Sequence, residues 1–199
     1  MKSSLRILSR TASVGMMALA AVMFSCNKIP SETAQGTLSW NFSQRMLTRA
    51  TVDLPDTDAF ILTVKNSAGD VLYEGAYGDS PESMLVNPGS YTVKAVSRVF
   101  EKPEFSAPQF GDEQVVVVQS GTSTKVRLNC TQLNSGLRMR LDSEFGATYP
   151  NGSVTVSSAE GNLKYSQTEN RIGYFKAGNV SVSLDDGTTS KILLTRYLE

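Results

Sequence analysis

The sequence predicts an all-β protein: tandem β-sandwich domains behind an N-terminal export signal. Three observations carry that expectation. Apolar and polar residues alternate over one short stretch after another from Gly36 to Leu194, the period of two that places one side of a strand in a core. Clusters of Gly, Pro, Asn, Asp and Ser separate these stretches at the spacing of tight turns. Beyond the N-terminal apolar run, no segment carries the three-and-four spacing of a helix of usual length.

The chain of 199 residues opens with Lys2, Arg6 and Arg10 and no acidic residue, followed by the apolar run Val14 to Phe24 and then Ser25-Cys26. A cationic start, a short apolar run and a small residue before the cut mark an export signal. The run is too short to span a bilayer, which takes roughly 20 apolar residues. Met23-Phe24-Ser25-Cys26 resembles the bacterial lipobox, in which a cysteine takes a diacylglycerol and its freed amine a third chain. Each buried methylene contributes about 0.8 kcal/mol, so such an anchor holds. An ordinary cleaved signal is the alternative, because Ala18-Leu19-Ala20 also offers a cut and Phe24 is bulky for a lipobox. The reading is a lipoprotein signal over residues 1–25, lipidation at Cys26 and a tether over 26–35, where Pro30 and polar residues precede the fold.

Strands are expected in order from Gly36. Leu38, Trp40 and Phe42 share one face of the first, so Trp40 is read as core. The stretch from Arg45 to Asp58 reads as a polar crossover; its aspartates lack the glycine and terminal glutamate of a calcium loop, so no metal is inferred. Phe60, Leu62 and Val64 run into the turn Asn66 to Asp70, and Val71 to Glu74 returns as a hairpin. Met84 to Val86 follows, then Asn87-Pro88-Gly89-Ser90, which reads as a type II turn with Gly89 at positive φ. Tyr91 to Val99 is the longest alternation, with Tyr91, Val93, Ala95 and Val99 inward and Lys94 and Arg98 outward.

Phe100, Phe105 and Phe110 interleave with Pro103, Pro108 and Gly111, which no regular element holds, and make this stretch the candidate binding loop. Packing over the end of the sandwich is the competing role. Val115 to Val118 reads as a strand buried on both faces, and Thr124 to Cys130 as the next, with Cys130 inward as a small hydrophobe. This gives roughly seven strands in about 95 residues, a β-sandwich of immunoglobulin-like size. The first domain is set at 36–131 and a second, possibly incomplete at Glu199, at 132–199. In the second, Gly136 to Asp142 alternates, Asn151-Gly152 and Asp185-Asp186-Gly187 read as hairpin turns, and strands are expected around Val154, Leu163, Tyr174, Val180 to Leu184 and Ile192.

Composition narrows function. Nineteen basic and nineteen acidic residues balance without a cationic block, against a nucleic-acid partner. No histidine is present, which excludes Ser-His-Asp and Cys-His nucleophile pairs and His-based zinc sites. With Cys26 lipidated, Cys130 has no partner in the chain for a disulfide. No catalytic residue, cofactor or small-molecule substrate is implied.

The order Gly36-Thr37-Leu38, Asp58-Ala59-Phe60 to Val64 with Gly69, Pro88-Gly89-Ser90-Tyr91-Thr92-Val93-Lys94-Ala95, Pro108 to Gly111 before a valine strand, and Val126 to Cys130 with Leu133 and Asn134 resembles a family of cell-adhesion lipoproteins of Gram-negative gut anaerobes. These are similar to the fimbrillins of lipoprotein-derived pili. The resemblance covers most of Gly36 to Leu184. It implies tandem transthyretin-like sandwiches and an adhesin or fimbria-associated subunit, without catalytic residues. The partners it implies are other envelope or pilus proteins or a host surface ligand, besides the membrane reached through the anchor. The location is then the outer membrane, on the cell surface rather than the periplasmic face. Pilin relatives release their first strand by cleavage at an arginine, and Arg45 and Arg49 are the candidate processing sites. A glycan-binding surface lipoprotein for nutrient capture is the alternative.

Overall fold

In chain order the elements are β1 (Gly36–Phe42), β2 (Ile61–Asn66), β3 (Val71–Ala76), β4 (Ser83–Val86), β5 (Gly89–Val96), β6 (Glu104–Phe105), β7 (Phe110–Val118), β8 (Ser123–Leu128), β9 (Thr131–Gln132), β10 (Asn134–Leu137), α1 (Ser143–Thr148), β11 (Ser153–Ser158), β12 (Gly161–Tyr165), β13 (Gly173–Lys176), β14 (Gly178–Asp185) and β15 (Ser190–Leu198). The computed structural model describes residues 34–42, 55–186 and 188–199. The protein is all-β, as its alternation predicts; α1, with six residues, is the one α-helix among the described residues.

Four sheets form, in the orders β4-β1-β8, β3-β2-β5-β7-β9, β10-β13-β6 and β12-β11-β14-β15. The first two enclose one core. Leu38 and Trp40 of β1, Val86 of β4 and Val126 and Leu128 of β8 meet Leu62 and Val64 of β2, Val93 and Ala95 of β5, and Phe110 and Val118 of β7. Strand β1 lies in the middle of its sheet, antiparallel to β4 over Gly36–Ser39 and parallel to β8 over Thr37–Phe42, so both of its backbone edges find partners. The Trp40 indole donates to Ser80 Oγ at 3.1 Å, which satisfies its one polar atom. Phe42 closes the end of this core against Tyr77, 4.4 Å between ring centroids, and edge-on to Phe60.

A second, separate cluster gathers Val154, Val156, Tyr165, Phe175 and Val180, with Leu137, Met139, Leu141, Phe145 and Leu184 packed around them. One strand departs from chain order: β6 pairs with β13, and Phe105 meets Tyr165 edge-on at 5.0 Å. All described residues belong to one compact unit, Thr33–Glu199. Within it we propose two sandwich domains, 36–131 and 132–199, the second borrowing β6 from the first.

Several expected details differ. Val115 and Val117 are exposed, at 68% and 64%, because the outer face of the five-stranded sheet carries no covering layer among the described residues; only the even-numbered side of β7 packs inward. Gly89 does not take the left-handed region: β4 and β5 lie in different sheets, so the segment between them crosses over, and Gly89 starts β5 opposite Val118. Strand β5 stops at Val96, leaving Val99 exposed. Strand β10 ends at Leu137; Met139 and Leu141 still reach the core, so their alternation serves packing without a ladder. Asn151-Gly152 turns the end of α1 into β11 instead of joining two paired strands, because β10 pairs with β13 and β11 with β12 and β14. The turn between β14 and β15 is a hairpin, as expected, with Asp186 accepting from the backbone and hydroxyls of Thr188 and Thr189.

Candidate functional site

The segment from Ser97 to Gln109 leaves β5, crosses to β13 and returns to β7. It carries no long ladder, so side chains and isolated backbone bonds hold it. Ser97 Oγ accepts from the Phe110 amide, Gln109 Nε2 donates to the Arg98 carbonyl, and the Ser106 amide donates to the Ile172 carbonyl. Asn134, 4% exposed, holds the returning limb of the loop at two points: Oδ1 accepts from the Gln109 amide at 2.9 Å and Nδ2 donates to the Ala107 carbonyl at 3.0 Å. A buried amide with two such partners is costly to remove. Ser106 has φ 55°, a left-handed turn that a serine adopts only where its surroundings impose it.

The three loop phenylalanines separate. Phe110 is 1% exposed in the first core, and Phe105 stands against the second. Phe100 lines an opening of about 440 Å³ with Val96, Val99, Leu133, Lys94 and Lys176. The structure therefore brings them to three different places: Phe100 to this opening, Phe105 to the second core, and Phe110 to the first core at the wall of a larger cleft.

Between the two cores, on the face of β13 opposite Phe175, lies a larger cleft of about 680 Å³. Three guanidinium side chains line it: Arg98 from the end of β5, Arg138 after β10, and Arg171 ahead of β13. Arg98 pairs with Glu104. Arg171 donates through Nε and NH2 to both oxygens of Glu169, at 2.9 and 2.7 Å, and lies 4.7 Å over the Phe105 ring. Those bonds, with the Arg171 amide, hold the Glu169 carboxyl down at about 2. Arg138 makes no ion pair among the described residues. Tyr174 is buried along its ring; burial raises its hydroxyl, and the charge of Arg138 opposes that rise. Sequence reading passed over this cleft because its arginines stand far apart in the chain and share no motif.

Cys130, Tyr165 and Asp56 serve the fold. Cys130 is buried, its thiol pushed up to about 12 by burial and then by Asp112, which makes it a poor nucleophile. Tyr165 is fully buried and donates to the Leu137 carbonyl. Asp56, considered above for calcium, accepts from the Asp58 amide as the cap of a single 3₁₀ turn. Among the described residues no three Cys, Asp or Glu side chains converge as metal ligands. Cys26, Arg45 and Arg49 lie outside the described residues.

Packed sheets define an all-β, sandwich-like protein, and an arginine-lined cleft opens on it among the described residues. The chain belongs to the family described as Domain of unknown function (DUF4493), whose model matches residues 34–193. Among solved structures it is similar to the fimbrial anchor protein Mfa2 from Porphyromonas gingivalis, at 8% identity over 82% of each chain with a TM-score of 0.48. It is similar to a proposed adhesin from Bacteroides ovatus, at 10% identity over 82% of this chain and 76% of that one, TM-score 0.47. It is similar also to proposed polysaccharide-binding proteins from Bacteroides thetaiotaomicron, at 11% identity over 81% and 79%, TM-score 0.45. No curated protein matches the chain.

Proposed function

We propose that this protein acts by binding, as a lipid-anchored adhesin or fimbria-associated subunit of the cell envelope, held at the outer membrane through Cys26 and displayed on the cell surface. The observation that carries the reading is β15. It is the outer strand of its sheet, one of its backbone edges has no partner strand among the described residues, and Ile192, Leu193, Leu194 and Tyr197 are exposed on its two faces at 65%, 53%, 49% and 62%. An apolar strand with an open edge is a template for another strand, and the occupant proposed is a strand of a neighbouring envelope or pilus subunit. The absence of histidine from the chain and the motif resemblance support binding over catalysis.

Sugar capture for nutrition would favour stacking platforms. Tyr174 is buried, and Tyr73 and Tyr77 pack half-buried against Trp40 and Phe42, so the three do not share an exposed face.

Two measurements test the reading. Cys26→Ala should abolish fatty-acid labelling and release the protein from membranes; a wild type that takes no label and is soluble in the periplasm removes the anchor. Lysine at Ile192 and Leu194 should abolish co-purification with envelope subunits while leaving the melting temperature nearly unchanged. Undiminished co-purification removes β15 as the docking edge.

A further inference from the structure

We propose that the cleft between the two cores binds an acidic saccharide, with Arg138 as the principal anion contact and Arg98 and Arg171 at its borders. The inference rests on the reading that the chain acts by binding, and assigns it a second site, apart from β15, with its own ligand class.

Charge comes first. Of the three guanidiniums, Glu104 and Glu169 each neutralise one, and Arg138 is left as a cation in excess on the cleft wall. A guanidinium matches the planar, two-oxygen face of a carboxylate or sulfate. The pairing of the other two also leaves them able to contribute: Arg171 spends two of its N–H groups on Glu169 and so retains three.

Preorganisation comes second. Arg171 is held from two sides, by the bidentate carboxylate and by the Phe105 ring, and Arg98 is tied to Glu104 on β6, itself paired with β13. A ligand therefore meets guanidiniums already placed and does not bear the entropic cost of ordering two long side chains. Tyr174 lines the same wall, and its hydroxyl makes no hydrogen bond to protein among the described residues, which leaves it a donor and an acceptor for a sugar hydroxyl.

The form of the ligand comes third. An extended acidic peptide would dock best by adding to a sheet edge, but β13 beneath the cleft is paired on both sides, by β10 and β6. The cleft thus offers side-chain donors and no long unpaired backbone, and its volume suits a short saccharide unit. Neutral sugars would call for an exposed aromatic face, and the Tyr174 ring is buried.

The test uses the full-length chain titrated with hexagalacturonate, sulfated maltohexaose, neutral maltohexaose and a six-residue polyglutamate peptide. Either acidic saccharide should bind, with affinity falling as salt rises, and Arg138→Gln should weaken it about tenfold or more, the loss of a charge-assisted bond. Arg138 is exposed, so this variant should keep the circular dichroism and melting temperature of the parent. Binding of neither acidic saccharide, equal binding of the neutral one, tighter binding of polyglutamate, or an unchanged Arg138→Gln each overturns the proposal. Adherence of cells displaying the chain separates the two readings. Saccharide binding that Arg138→Gln leaves unchanged, in a chain that mediates adherence, keeps the adhesin and removes the cleft; saccharide binding lost in Arg138→Gln, in a chain that mediates no adherence, keeps the cleft and removes the adhesin.

Discussion

Single side chains in this protein are settled by what surrounds them. Cys130 is a nucleophile by chemistry and a core residue by environment. Its thiol is raised from the ordinary 9.0 to about 12, with burial the main cause. Folding therefore favours the protonated form. The associated stability is complete below the unfolded thiol's value and is lost as pH climbs from about 9 toward 12. Wild type should lose stability relative to Cys130→Ala across that window in denaturant melts; a constant difference would show that the thiol is not held. Iodoacetamide at pH 8, read at Cys130 by peptide mass, should label only the unfolded chain. Glu169 runs the other way. Its carboxyl is held at about 2, so the clamp on Arg171 is present above the ordinary carboxylate range and disappears as pH falls through that value. A carbon-detected titration of Glu169 should show a midpoint well below 4, and Arg171→Gln should return it to the ordinary range. Ser80→Ala strips the Trp40 indole of its acceptor and should cost about 1 kcal/mol.

Elements owe their stability to neighbours on both edges. Strand β1 is short, yet it is the middle strand of its sheet and brings Leu38 and Trp40 into the first core. Losing it would uncover paired backbone and two buried apolar side chains at once, so a cut in the chain beyond it should not free it. Treatment with an arginine-specific protease, if it cuts at Arg45 or Arg49, should leave the N-terminal fragment bound to a monomeric protein in native mass spectra, with release only in denaturant. Spontaneous release and oligomer formation would instead mark a pilin whose strand is exchanged. Strand β15 makes the contrast: it is paired on one edge and exposed on both faces from Ser190 to Tyr197, so polar substitutions at Ile192, Leu193 or Leu194 should change stability by less than about 0.5 kcal/mol.

The whole molecule is held together by a segment that strays from its own half. Phe105 enters the second core on β6, while Asn134, the first residue of β10, holds the base of that loop through Ala107 and Gln109. Phe105→Ala should therefore destabilise the second core by about 2 kcal/mol, a half-buried phenylalanine's share of a large-to-small loss. Because the same ring supports Arg171, the variant should also weaken binding in the cleft. Hydrogen exchange should accelerate at Val154, Val156 and Phe175 and leave Leu62 and Val93 protected; uniform acceleration would mean that the two cores unfold as one.

The sequence by itself determined the class of the fold, the strands whose two faces differ, and the burial of Trp40, Tyr91, Val93, Ala95 and Cys130, while the burial of Phe110 was decided by the tertiary structure. Period-two alternation is local, and it records which face of a strand meets a core whatever that strand pairs with. Pairing is not local. That Gly89 opens a strand and not a left-handed turn, that Val115 faces solvent, that β10 stops at Leu137 and that β6 joins the far sheet all follow from which strands lie side by side. The cleft belongs with these: Arg98, Arg138 and Arg171 share no spacing that a motif could show. Their convergence is decided only when β13 is seated between β10 and β6, because only the paired sheet brings residues so distant in the chain onto one wall.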